Sequence, residues 1–259
     1  MVVEFLASNH NLLNCELADK KLNTINIQNL NKILFFKTKT LNMVVHHLLE
    51  VNSVLNTFIK EIRDKNIQKD SMRFRRNLER IGEVLSYELS KRLEYFPEKI
   101  TTVLGDKNSK VIDNDLVICS ILRAGLPLHQ GILNYFDTAE NAFISAYRHH
   151  SKNDTDFEIK VEYIATPNLE GKTLIIADPM LATGKSMAAV YEAIKKFGAP
   201  KKIHIVSVIG SKFGVNFIKN HFSKNTELWI ADIDENLDSN GYILPGLGDA
   251  GDLSYGSKL

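Results

Sequence analysis

Apolar residues recur along this chain with two different periods. Phe74, Leu78, Ile81, Leu85 and Leu89 step by four, three, four and four, which predicts one face of a helix running on from Met72. Arg75, Arg76, Glu79, Arg80 and Glu83 fall between them and give that helix a solvated face. Beyond residue 114 short apolar runs take over. Residues 115–120, 142–146, 173–177, 202–209 and 227–231 each predict a buried strand. Residues 126–136, 186–197 and 213–222 predict helices; Pro127 is tolerated in a first helical turn, and Gly198 followed by Pro200 ends the second helix. Phe157, Ile159, Val161 and Tyr163 alternate with polar residues, which predicts a half-exposed strand in a protruding hairpin.

Strand and helix alternating at this spacing predict an α/β fold, a mostly parallel sheet covered by helices on both faces. In such a sheet ligands sit beyond the carboxyl ends of the strands, so the segments that follow the strands are where chemistry is expected. Residues 43–259 are expected to form the working domain. Residues 1–42 differ from it: they are rich in Asn, Lys and Leu and contain no Gly or Pro. They read either as a floppy extension or short added helix, or as an appendage without chemical role preceding a working start at Met43.

Composition narrows the partners. The chain has 259 residues, a formal net charge of +1 and interspersed Lys, Arg, Asp and Glu, so bulk charge points neither to nucleic acid nor to an anionic membrane. Two cysteines, Cys15 and Cys119, make neither a disulfide framework nor a zinc spacing. No apolar run approaches a membrane span, and the first residues lack a signal-peptide pattern; a reducing, cytoplasmic setting is expected.

The segment Ala177-Asp-Pro-Met-Leu-Ala-Thr-Gly-Lys-Ser186 joins a predicted strand to a predicted helix. Its Gly184-Lys185-Ser186 is how a P-loop for nucleoside triphosphates ends, but Pro179 stands where that loop needs glycine. A helix start presents unpaired backbone N–H groups and a favourable dipole end to an anion. Thr183 and Ser186 add hydroxyls, and Asp178 at the strand end suits sugar hydroxyls or a metal. The plain alternative is an ordinary strand-to-helix turn.

Leu174-Ile-Ile-Ala-Asp178 followed by Thr183-Gly184 and Ser186 resembles the phosphoribosyl pyrophosphate (PRPP) motif of type I phosphoribosyltransferases. The form Asp-Pro-Met-Leu-Ala-Thr-Gly resembles that of uracil phosphoribosyltransferases, which usually carry Gly where this chain has Lys185. Arg123-Ala-Gly-Leu126 and Tyr147-Arg148 resemble two further PRPP contacts of that family. A guanidinium fixed at a strand end suits a pair of pyrophosphate oxygens. His149 and His150 read as loop residues rather than acid–base catalysts. Gly241-Tyr-Ile-Leu-Pro-Gly-Leu-Gly-Asp-Ala-Gly-Asp252 holds four glycines and a proline, and it is similar nearly letter for letter to the family's uracil-binding segment.

The resemblance runs from about Met43 to Leu259. It implies PRPP binding by Arg123, Arg148 and Asp249, and by the run Asp178, Pro179, Met180, Leu181, Ala182, Thr183, Gly184, Lys185 and Ser186. It implies uracil binding by Ile243, Gly248, Asp249 and Ala250, largely through backbone groups, and a catalytic set of Asp249, Arg123, Arg148 and Asp178. Asp252 is expected to organise the loop. The implied reaction joins uracil to PRPP, giving UMP and diphosphate in pyrimidine salvage. Mg²⁺ is carried with PRPP rather than by a metal site of the protein, and the chain is expected to be a homo-oligomer. Residues 151–165 are expected to cover the site and exclude water. Three rivals differ in chemistry: a transferase for another base, a P-loop NTPase, and a pyrimidine-sensing RNA-binding regulator, whose mark would be salt-dependent RNA binding.

Overall fold

A computed structural model describes residues 43–150 and 157–258 of this chain, and of the side chains between 147 and 159 nothing is described. The expectations for residues 1–42 and for 151–156 fall outside this range. The segment Met43–Leu259 clusters as a unit of its own.

Its strands are β1 (Val44–His47), β2 (Tyr95–Thr102), β3 (Gly105–Ile112), β4 (Leu116–Leu122), β5 (Glu140–His150), β6 (Phe157–Ala165), β7 (Thr173–Ala177), β8 (Met180–Leu181), β9 (Lys202–Ser211), β10 (Thr226–Asp234), β11 (Asn236–Leu237) and β12 (Ile243–Leu244). Its α-helices are α1 (Leu55–Arg63), α2 (Ser71–Ser90), α3 (Gly125–Leu133), α4 (Lys185–Ile194), α5 (Lys212–His221) and α6 (Ala250–Tyr255). The main sheet runs β1-β10-β9-β7-β4-β5-β6, with β8 paired to β9. Every pairing in it is parallel except β5 with β6.

The continuous apolar runs are explained by burial on both sides. One face of the sheet sends Ile118, Ile175, Val206, Val208 and Trp229 into a core shared with α1, α2 and α3. The other sends Val117, Cys119, Leu174, Ile176, Ile203 and Ile205 against Met187, Val190 and Ile194 of α4 and Val215 and Ile218 of α5. The stripe on α2 is wholly buried, and Asp70 caps the helix by accepting from the Arg73 amide. Burial pushes the Cys119 thiol up to about 12, which fits a small core residue and not a nucleophile.

Several elements differ from expectation. The second predicted helix starts one residue earlier, at Lys185, and its last turn, Lys195–Phe197, is a 3-10 helix. The segment after β7 is not one uninterrupted turn: Met180 and Leu181 pair with Ile209 and Gly210 as β8. The hairpin of β2 and β3 has no counterpart in the expected elements. Every residue of β2 is exposed and β3 is mostly so; with no face to bury, neither strand carries an apolar alternation.

Candidate active site

The carboxyl ends of β4 and β7 bring two of the expected segments side by side. β4 ends at Leu122, and Arg123 and Ala124 lead directly into α3. β7 ends at Ala177, where the Asp178 amide donates to the Val206 carbonyl and so extends the parallel ladder. β4 and β7 are neighbours, with Ser120 opposite Ala177.

Asp178 is half-buried. Its carboxylate accepts from the Met180 amide at 3.3 Å and makes no ion pair among the described residues. Desolvation pushes its pKa up to about 7, against the smaller lowering effect of that amide. The Pro179 carbonyl accepts from the amides of Val208 and Ile209, which pins the start of the loop to β9. The chain then crosses β8 and Ala182, whose carbonyl accepts from the Ser211 hydroxyl at 2.6 Å.

Gly184 is the residue before α4 and holds φ +76°. A side chain there would be strained by that φ and would also meet Phe217 at 2.8 Å. Lys185 is the first residue of α4, so the left-handed position falls on glycine and the lysine backbone is ordinary helix. The Thr183 hydroxyl accepts from the Lys185 amide at 3.3 Å. The first turn of α4 thus begins beside the Thr183 hydroxyl, and a helix start of this kind suits an anion.

The C-terminal loop meets Arg123 from the other side. Asp249 is the residue before α6 and accepts from the Asp252 amide at 2.9 Å. Desolvation raises the Asp249 pKa, but that amide and Lys258, 3.3 Å away, outweigh it and hold the carboxyl below its usual value. Arg123 Nη2 donates to Asp252 at 3.1 Å and to the Gly256 carbonyl at 3.2 Å. Residues 129 positions apart in sequence thus share one ion pair. Ile243, in β12, and Ala250, the first residue of α6, are buried, and Gly248 between them has φ +93°.

Arg148 lies on β5 opposite Ile159 of β6, but its side chain falls outside the described range, as do those of His149 and His150. Asp252 was expected only to organise the loop; the structure adds its bond to Arg123. Spacing alone could not have found that contact. Among the described residues no group of three or more His, Cys, Asp or Glu could hold a metal ion, and no helix is long and apolar enough to cross a membrane. A cavity of about 520 Å³ is lined by Arg75, His129, Asn141, Phe143 and Tyr255, among others, and by none of the expected site residues. The candidate site is instead an open meeting of loops at the strand ends.

Known proteins resemble this chain in sequence and in fold. A family model described as uracil phosphoribosyltransferase matches residues 49–257. A uracil phosphoribosyltransferase of Porphyromonas gingivalis is 52% identical over 217 residues, covering 84% of this chain and all of the relative. One from Pyrococcus furiosus is 37% identical, covering 78% of this chain and 85% of the relative. Among solved structures, the AQ2163 protein from Aquifex aeolicus superposes with a TM-score of 0.74 at 29% identity, covering 83% of this chain and all of that one.

Proposed function

This chain belongs to the uracil phosphoribosyltransferase family, and we propose that the loops beyond β4, β5, β7 and β12 hold PRPP and uracil against one another. The enzyme converts uracil and PRPP to UMP and diphosphate, a glycosyl transfer. The bond from the ribose anomeric carbon to diphosphate breaks, and a bond from that carbon to uracil N1 forms with loss of the N1 proton.

Positive charge builds on the sugar as the bond breaks, and the leaving diphosphate carries several negative charges. Arg123 and Arg148 take the diphosphate, each able to fork onto two oxygens. The amides at the start of α4, with Thr183 and Ser186, take the 5′-phosphate, and Gly184 lets an oxygen approach the backbone. Pro179, Met180, Leu181 and Ala182 form the floor of that loop, with Lys185 at the helix start. Asp178 accepts from the ribose hydroxyls. Mg²⁺ enters as part of the magnesium–PRPP substrate, where Asp249 faces PRPP or its metal. Uracil offers two carbonyl acceptors around an N–H donor, and the backbone at Ile243, Gly248 and Ala250 presents the complementary pattern. No side-chain nucleophile is needed; positioning base and sugar supplies much of the rate. Residues 43–259 carry the chemistry, and the enzyme works as a homo-oligomer in a cytoplasmic setting.

The observation that supports this reading best is the Arg123–Asp252 contact, which joins the diphosphate side to the base side. UMP formation tests it: the chain with PRPP, Mg²⁺ and uracil is expected to release UMP, whereas cytosine and hypoxanthine leave PRPP unconsumed. Equal use of hypoxanthine would contradict the base assignment.

A further inference from the structure

The base-side loop reads its ligand through backbone groups, so whatever fixes that backbone governs recognition. One side chain far away in sequence does so. Arg63, the last residue of α1, donates from Nη1 to the Gly246 carbonyl at 2.9 Å. The same nitrogen donates to Asp234 at 2.9 Å, and Nη2 donates to Asp232 at 2.8 Å. The Arg63 side chain is only 18% exposed and that of Asp234 only 9%. Asp232 is held in turn by its contact with His47 at 3.3 Å and by the Ile233 amide.

Gly246 is the turning point of the loop. Its φ is +59°, and a Cβ there would lie 2.1 Å from the Ile243 carbonyl, so the Ile243–Gly246 turn admits no side chain at its corner. Ile243 and Leu247 on either side are buried. Backbone hydrogen bonds tie the loop to itself at Asp238, Gly241 and Tyr242. Arg63 ties it to the end of β10. A planar guanidinium can bridge two carboxylates and a carbonyl at once, which a lysine ammonium cannot match in plane.

We infer that Arg63 is a positioning residue for uracil: clamped by Asp232 and Asp234, it fixes the Gly246 carbonyl and through it the backbone that faces the base. This rests on the assignment of residues 243–250 to uracil given above. Because Arg63 makes no hydrogen bond or ion pair with the PRPP segments among the described residues, its loss weakens one substrate and spares the other.

Steady-state kinetics on the full chain tests this with Arg63→Gln and Arg63→Lys. R63Q is expected to raise KM for uracil about tenfold while kcat and KM for PRPP stay within about twofold, the sign of lost ground-state positioning. R63K keeps a cation between the two carboxylates and is expected to recover part of this, with a rise of about threefold in KM for uracil alone. Unchanged KM for uracil, or equal rises in both KM values, overturns the inference. If R63Q does not fold, R63K decides by the same criterion. Failure of the unaltered chain to form UMP overturns the reaction reading itself, and the inference with it.

Discussion

Two carboxylates at opposite ends of one mostly parallel sheet meet opposite fates. Glu227 lies at the amino end of β10, 5% exposed, and is surrounded by partners. Lys202 is 2.7 Å from one oxygen and His46 2.8 Å from the other, with Arg92 at 3.6 Å. Desolvation alone would raise its pKa, but Lys202 and His46 outweigh it and bring the carboxyl down to about 2. His46 stacks on Trp229 at 3.7 Å, and Trp229 donates to His204 at 3.1 Å, which extends the polar network around Glu227. Asp178, at the carboxyl end of β7, has desolvation without such neutralisation and is pushed up to about 7. The carboxylate that builds the fold is satisfied internally. The one at the candidate site has no cationic partner among the described residues, the kind of environment in which functional carboxylates are found.

The largest effect expected falls on the site side. Arg123→Ala and Asp249→Asn should each lower turnover roughly a hundredfold with the thermal midpoint within a few degrees of the unaltered chain; measured turnover within a few-fold would remove these residues from the machinery. Asp178→Asn should raise KM for PRPP about tenfold. It should also change stability with a definite sign. The folded pKa of Asp178 is raised, so its contribution is full below the usual 3.8 and is lost as pH rises through about 7. The Asn variant escapes that loss and should gain on the unaltered chain between pH 5 and pH 8 in paired thermal melts.

Glu227→Gln should do the reverse. Turnover per folded molecule should not change, while stability falls by about 2 kcal/mol, less than a wholly buried pair because Lys202 is 33% exposed. Its folded pKa is depressed, so the stability it gives is present above the usual 4.5 and is lost as pH falls toward about 2. A chemical denaturation series from pH 7 to pH 2.5 should show the two proteins converge in acid. The smallest effect is expected from removing residues 1–42, which precede the matched family segment; kcat should stay within about twofold.

The parallel sheet was legible because its strands are apolar on both faces and carry their own signal. So were the segments after β4 and β7, where Arg123, Asp178 and Gly184 stand beside strong strands. The 241–252 loop was legible by its glycines, three of which the structure uses at positive φ before Asp249: Gly241, Gly246 and Gly248. What escaped lay in tertiary contacts. Arg63 reads as an ordinary helix-terminal cation until β10 brings Asp232 and Asp234 to it. The pairing of Met180 and Leu181 as β8 depends on β9 arriving 29 residues later, beyond the reach of any local period. The exposed β2–β3 hairpin was missed because strands without a buried face leave no apolar signature.

The contrast between a satisfied and an unsatisfied carboxylate stands or falls on the pH dependence of kcat/KM for PRPP, measured side by side in the unaltered chain and in Asp178→Asn. PRPP's own ionisation is common to both, so their ratio isolates the residue. The ratio of unaltered to variant should climb as pH rises through about 7, where the Asp178 carboxylate forms. A ratio that stays constant from pH 5.5 to 8.5 would contradict the account.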